Sequence, residues 1–356
     1  MKFIRMILLG ALVFMTPVTA APCTSAIISG RLTASGKPIL WKNRDTSALD
    51  NKVEYIASRV EGEMPYVALF NASDWKCEQA WIGINEAGFA VMNTASYNLK
   101  ADNVPASKMD REGYVMTHAL RHCRTVDDFA SLLENLPRPL GVEANFGVID
   151  ADGNGAYFEC DNYGFTRFDL HDAPDGVLVR TNYSHSGRKG EGYGQIRERN
   201  AIHLLRPYVE AGRVEPYTLT DILSCSFYHD LYGADMAASG ERYLIDQDYI
   251  PRYTTTASVA IEDGVMWTAL GYPPVAELTP VWCAPDGVHP DLRGTLPDGH
   301  SPAGDRASAR KAQVFSVGDG NRDRYVDLSR LINPQGTGFM QVLRIQNRQT
   351  YDRFHR

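Results

Sequence analysis

Cys23-Thr24-Ser25-Ala26-Ile27-Ile28-Ser29, a turn at Ser35-Gly36-Lys37, and then Pro38-Ile39-Leu40-Trp41-Lys42-Asn43-Arg44-Asp45-Thr46 form the stretch on which the reading turns. Thr24 to Ser29 and Pro38 to Lys42 are short apolar and β-branched runs on either side of turn residues, which predicts a hairpin. A cysteine thiolate is a strong nucleophile but needs a base to form at neutral pH. A cysteine at a free chain terminus carries its own base, because an α-amino group titrates at roughly 7.7 to 8.0 and can take the thiol proton directly or through a water. Such a site needs no histidine. None of the 9 histidines stands in a motif that would partner it with a cysteine.

What precedes Cys23 makes a free terminus attainable. Lys2 and Arg5 are followed by an apolar stretch from Met6 to Met15 and then by the small residues Val18-Thr19-Ala20. This is the pattern of a secretory signal peptide over residues 1–20, since the apolar run is too short to span a bilayer. Cleavage there leaves Ala21 and Pro22 as a short segment, and its removal, by autocatalysis or an exopeptidase, exposes Cys23. The expected mature chain, residues 23–356, is exported to the periplasm or medium, has no stable membrane anchor and forms a single catalytic domain.

Composition narrows the function classes. The chain has 356 residues, 44% hydrophobic and 22% charged, enough for a sizeable core, and a net charge of −7 with no clustered Lys and Arg. That excludes a nucleic-acid surface, which needs concentrated positive charge. The six cysteines, Cys23, Cys77, Cys123, Cys160, Cys225 and Cys283, are widely spaced and contain no C-x-x-C pair, so they point to neither zinc nor a redox centre. Most of the other five read as small buried hydrophobes. Asp150-x-Asp152-x-Asn154 and Asp319-x-Asn321-x-Asp323 look like the start of a calcium loop but lack its later Gly and Glu; the first reads as a hairpin turn. No metal or cofactor is expected. Asn71-Ala72-Ser73 and Asn182-Tyr183-Ser184 fit the glycosylation pattern, which often arises by chance.

Along the rest of the chain, extended runs at Val53 to Ile56, Tyr66 to Phe70, Ala80 to Ile84 and Gly88 to Met92 precede helical periodicity from Tyr114 to Leu136, broken near Arg124-Thr125, with Thr125 as cap of the second helix. Strands return at Asn145 to Ile149, Ala156 to Cys160 and Val177 to Arg180. A helix follows at Ile196 to Val209, a shorter one at Thr218 to Ser224, a hairpin at Tyr253 to Ile261 and Val265 to Leu270, and a closing helix at Gly338 to Phe354. Ala284 to Gly304 is rich in Gly, Pro and Asp and reads as a surface excursion. Strand clusters alternating with helix clusters indicate an α+β layered fold.

Three of these segments together resemble one family. Cys23-Thr24-Ser25-Ala26 with Trp41-Lys42-Asn43-Arg44-Asp45-Thr46, then Gly83-Ile84-Asn85-Glu86-Ala87-Gly88-Phe89-Ala90-Val91-Met92-Asn93, then Val177-Leu178-Val179-Arg180-Thr181-Asn182, are similar in kind and order to the choloylglycine hydrolase, penicillin V acylase and isopenicillin N acyltransferase group of N-terminal-nucleophile cysteine hydrolases. The resemblance runs from Cys23 to about Leu205. It implies a four-layer αββα sandwich of antiparallel sheets and attack of Cys23 on a linear amide through a thioester acyl-enzyme. By the same resemblance Asp45 holds the α-amino group or thiol, Asn182 and the amide of Asn93 stabilise the oxyanion, and Arg197, with Arg199 as alternative, completes the catalytic set. Lys42 stands where the family has an arginine unless Arg44 supplies that charge, and Lys42, Arg44 and Tyr183 are the substrate-binding candidates. Tyr66, Phe70, Trp75, Tyr97 and Tyr183 are candidates for an apolar acyl pocket. The partner expected is a small-molecule amide, and the group's tetramers admit a homo-oligomer. An acyltransferase or dipeptidase of the same superfamily shares these residues, and a secreted binding module without turnover is the reading from another class.

Overall fold

Residues 23–99, 103–295, 298–318 and 324–355 are described by a computed structural model. Numbered along the chain, the strands are β1 (Thr24–Ile28), β2 (Ile39–Asp45), β3 (Asn51–Ile56), β4 (Tyr66–Asn71), β5 (Ile82–Asn85), β6 (Ala90–Ala95), β7 (Ala144–Ile149), β8 (Gly155–Cys160), β9 (Phe165–Asp169), β10 (Val177–Arg180), β11 (Tyr228–His229), β12 (Ala234–Asp235), β13 (Tyr243–Ile245), β14 (Thr255–Glu262), β15 (Val265–Leu270), β16 (Leu278–Trp282), β17 (Val317–Gly318) and β18 (Arg324–Asp327). One sheet has six strands in the order β10-β1-β2-β14-β15-β16, and another runs β3 to β9 in sequence order. Both are antiparallel throughout. Two small sheets, β11-β12 and β13-β18-β17, complete the set.

Side chains alternate across a strand, so each sheet offers two apolar faces. Ile27, Leu40, Val259 and Met266 from the six-stranded sheet meet Val67, Leu69, Ile82 and Met92 from the seven-stranded one in a shared core. Behind the seven-stranded sheet, Phe70, Phe89, Phe146 and Phe158 pack against Met116 and Leu120 of helix α1 (Glu112–His122) and Phe129 and Leu133 of α2 (Val126–Asn135). Behind the six-stranded sheet, Ile28, Trp41 and Ala260 pack against Ala201 and Leu205 of α3 (Gln195–Glu210) and Leu219 of a π-helical turn, Thr218–Leu223. Trp267 and Leu278 pack farther along against Ala307 of α4 (Pro302–Val314) and Tyr351 of α6 (Phe339–Phe354), while α5 (Leu328–Leu331) joins a satellite core. The result is the expected order of helix, sheet, sheet, helix.

The hairpin expected at Cys23 is present, with Ala26 opposite Trp41, and β2 continues to Asp45. Thr125 caps α2, accepting from the amide of Asp128 at 3.1 Å while the Asp128 carboxylate accepts from the amide of Thr125 at 2.9 Å. Asp150 closes the β7-β8 turn by accepting the amides of Asp152 and Asn154, which makes that segment a turn, as read. The Asp319 to Asp323 segment and residues 1–22 lie outside the described residues.

Three expectations are corrected. Residues 284–304 do not run only over the surface, because Val288 and Leu292 are buried in the core between the sheets. Tyr66 and Phe70 cannot line a pocket, since both are buried behind the seven-stranded sheet against α1 and α2. Trp75 is exposed, with the Lys52 ammonium 5.2 Å from its ring centroid.

Candidate active site

β1 and β2 lie in the middle of the six-stranded sheet, and their alternation sorts the polar residues. Ile27 and Leu40 face the inter-sheet core, so Ser25 on β1, Cys23 one residue before it, and Lys42 and Arg44 on β2 share that face. Ile28 and Trp41 face the helices, which puts Thr24, Asn43 and Asp45 on the α3 side. Nucleophile candidate and acid candidate therefore approach from opposite faces of one hairpin end.

Cys23 is buried, and its Sγ lies 3.5 Å from the backbone nitrogen and 3.6 Å from the backbone oxygen of Asp45. The Asp45 carboxylate is turned elsewhere. Its Oδ1 accepts from the Thr255 hydroxyl at 2.5 Å and from the Asn43 amide at 3.3 Å, and its Oδ2 accepts from Arg252 Nη2 at 2.5 Å. Burial opposes the charge on Arg252, but the Asp45 carboxylate more than offsets it and raises that guanidinium's pKa.

Arg197 joins the two halves of the site. Its Nη1 donates to the Cys23 carbonyl at 2.5 Å and to the Thr24 hydroxyl at 3.0 Å, and its Nη2 donates to Asn182 Oδ1 at 2.9 Å. Burial, then the nearby Arg252 charge, lower Arg197 to about 9. Arg199, the alternative from sequence, turns outward to Asp230 at 2.5 Å. Asn182 follows β10 and is fully buried; its Nδ2 donates to the Ala95 carbonyl at 2.9 Å, so the amide is held by a backbone acceptor. That burial also removes Asn182 as a glycosylation acceptor, and Asn71 is engaged by Arg44.

Asn93 sits one step past the Ile82-Met92 pair, where β5 begins. There Lys42 crosses from the facing sheet and donates to Asn93 Oδ1 at 2.7 Å and to the Trp81 carbonyl at 3.0 Å. Burial lowers Lys42 to about 8, only partly countered by Cys23. Arg44 donates to Asn51 Oδ1 at 2.5 Å, Asn71 Oδ1 at 2.7 Å and Thr256 Oγ1 at 3.3 Å, and burial lowers it to about 10. Tyr183 does not join this group: its hydroxyl bonds to Glu198 and its ring lies 5.5 Å from that of His185. Tyr97 stacks edge-on against Tyr193, whose backbone pairs with Asn182.

Sequence reasoning missed Arg252 and Thr255. Both hold Asp45 from more than two hundred residues downstream. The local signal is a charged and a hydroxyl residue at the entry to a strand, a pattern too general to single out a site residue. Beside the site, a cavity of about 430 Å³ is lined by Phe168, Val177, Val179, Arg180, Glu198 and Leu205 at the edge of the sandwich. Among the described residues, Asp50, His300 and Asp305 bring ligand atoms within 4.8 Å of one another, with the His300 ring already placed between the two carboxylates.

No family model and no curated protein matches the chain. Among solved structures, it is similar to the N-acylethanolamine-hydrolyzing acid amidase ortholog of Caenorhabditis elegans, at 14% identity over 74% of this chain and 95% of that one, with a TM-score of 0.46. It is also similar to a mutant of the conjugated bile acid hydrolase of Clostridium perfringens, at 13% identity over 73% and 92%, TM-score 0.45. The penicillin V acylase of Agrobacterium tumefaciens stands at 11% identity over 73% and 86%, TM-score 0.45. The layer order itself stands on the chain's own core contacts.

Proposed function

We propose that the chain is an exported cysteine amidohydrolase in which removal of residues 1–22 frees the α-amino group of Cys23. That amine takes the thiol proton, and the thiolate attacks the carbonyl carbon of a linear amide. The tetrahedral oxyanion is met by amide donors from Asn182 and Asn93, where each lost donor typically costs ~10²–10³ in rate. Collapse passes the proton to the leaving nitrogen, the amine departs, and a thioester to Cys23 remains. Water, deprotonated by the same α-amino group, then releases the acid and restores the thiol.

One observation supports this reading above the rest. Arg197 binds the Cys23 carbonyl, the Thr24 hydroxyl and the Asn182 amide oxygen at once, while the Asp45 backbone meets the thiol. Residues chosen from separate stretches of sequence thus converge on one hydrogen-bonded chain. The test is a panel of linear amides, among them N-acyl amino acids, bile-salt conjugates and penicillins, assayed with the purified protein and its Cys23→Ser and Arg197→Gln variants. Hydrolysis abolished by the first change and lowered by about a hundredfold in kcat by the second is the expected result. Turnover that survives Cys23→Ser would refute the nucleophile.

A further inference from the structure

The pairing of β10 with β1 ends where Arg180 stands opposite Ser25, so Thr181, Asn182 and Tyr183 run on past the strand, tied to it only through the bridge between Asn182 and Tyr193. Carbonyls in such a stretch need a donor from elsewhere once they are inside the protein. Here the donor is a side chain of the other sheet. Asn145 Nδ2 donates to the Thr181 carbonyl and to the Tyr183 carbonyl, each at 3.2 Å, and these are the two carbonyls that flank Asn182. The same nitrogen donates at 3.0 Å to the hydroxyl of Thr94, the residue after Asn93. An amide nitrogen has two N–H bonds, so one of them is shared between acceptors.

Strand alternation puts Asn145 in reach of both ends. It lies on β7 opposite Thr94 of β6 and shares with Ile149 the face that meets the six-stranded sheet. It is fully buried, as are Thr94, Thr181 and Asn182. Its oxygen is engaged as well: Oδ1 accepts from Ser184 Oγ at 2.5 Å, and the Ser184 amide donates to Asn98 Oδ1 at 2.7 Å. A contact that served packing alone could fall anywhere along the core between the sheets. These contacts fall on the neighbours of Asn93 and Asn182, the two residues given to the oxyanion, and tie them together across the gap.

We propose that Asn145 is a positioning residue of the reaction, which sets the separation and orientation of Asn93 and Asn182 and so the place where the oxyanion is held. The proposal rests on the oxyanion reading above but is tested apart from it. p-Nitrophenyl acetate and iodoacetamide take the same thiolate by different routes. The thiolate adds to the ester carbonyl, giving an oxyanion that collapses with loss of p-nitrophenolate and leaves an acetyl thioester; with iodoacetamide it displaces iodide at a saturated carbon and forms no oxyanion. The ratio of the two rates at Cys23 therefore cancels the fraction of thiol ionised and reports oxyanion stabilisation. Both rates are measured on the purified protein, from the first phase of p-nitrophenolate release and from the mass of the Cys23 peptide, with free cysteine as reference.

The wild-type ratio is expected to exceed that of free cysteine by about a hundredfold. Asn145→Ala should lose about tenfold or more of that advantage while the iodoacetamide rate stays within about twofold. Thr94→Val and Ser184→Ala, which each remove one contact, should lose less, and Thr94→Ser, which keeps the hydroxyl, should lose nothing; these variants decide the matter if Asn145→Ala does not fold. Thr125→Ala, which weakens the fold far from the site, should leave the ratio unchanged. A high wild-type ratio that survives Asn145→Ala, or that survives both milder variants where Asn145→Ala does not fold, overturns the positioning role and leaves the oxyanion reading standing, as does a fall matched by Thr125→Ala. A wild-type ratio no higher than that of free cysteine, or a Cys23 inert to both reagents, overturns the oxyanion or nucleophile reading and the positioning role with it.

Discussion

Asp45 serves the site with different atoms in different directions. Its backbone flanks the Cys23 thiol, and its carboxylate anchors the hairpin end to Arg252 and Thr255 of the neighbouring strand entry. Removing that carboxylate leaves Arg252 charged and largely buried, a defect that ordinarily costs about 3–5 kcal/mol. Asp45→Ala is therefore expected to lower unfolding free energy by roughly that amount in urea, with unchanged m-value, and to abolish activity even where the protein remains folded. A loss under about 1 kcal/mol would show that the pair is solvated. Asp45 was marked as a candidate by the motif residues that surround it, whereas Arg197, with Arg199 as its alternative, was reached only through the resemblance. Arg252 was reached by neither, since nothing local marks a charge whose partner lies 207 residues away.

At the scale of elements, the Gly83 to Gly88 motif turns out to be structural. Asn85 Nδ2 donates to the Leu120 and Cys123 carbonyls at the end of α1, and its Oδ1 accepts from the amides of Ala87 and Phe89 in the β5-β6 turn. A Cβ on Gly83 would meet Ala68 Cβ and the Val67 carbonyl oxygen at 2.6 Å, so the strand there admits only glycine. The cap of α2 was equally legible: Thr125→Ala is expected to cost about 1 kcal/mol, seen as a lower thermal midpoint with activity unchanged. No shift in the midpoint would mean that water replaces the capping hydroxyl without loss. Other elements hid for physical reasons. α4 buries Ala303, Ala307, Lys311 and Val314, a correct helical spacing written mostly in residues too small or too polar to register as an apolar stripe. β16 carries Pro280 in its middle, tolerated because β16 is the sheet's edge.

For the whole molecule, the order of layers followed from strand and helix clusters, whereas strand order could not. β14 inserts beside β2 from more than two hundred residues away, and it completes the site. Buried acids leave a mark on global stability. Burial pushes Glu112 and Glu198 from 4.5 up to about 7. The folded chain then holds protons that the unfolded chain releases near pH 4.5, so this contribution is complete below that pH and is lost as pH rises to about 7. At ~1.36 kcal/mol per unit, Glu112 alone accounts for at most about 3 kcal/mol. Glu112→Gln should flatten the fall in denaturation free energy between those pH values, and an unaltered slope would place the titration elsewhere.

The thiols divide just as clearly. Cys77 and Cys283 are pushed up to about 11, Cys123 to about 12, and Cys160 and Cys225 well above the ordinary range, all chiefly by burial, and none of the six is in a disulfide. Alkylation at neutral pH should therefore single out Cys23. The most direct measurement is the intact mass of the purified protein before and after a brief exposure to iodoacetamide, with the modified peptide sequenced. A chain beginning at Cys23, carrying one adduct on that residue and inactive in proportion to it, is the result expected; an active chain that retains Ala21 or Pro22, or that loses no activity when Cys23 is modified, would contradict it.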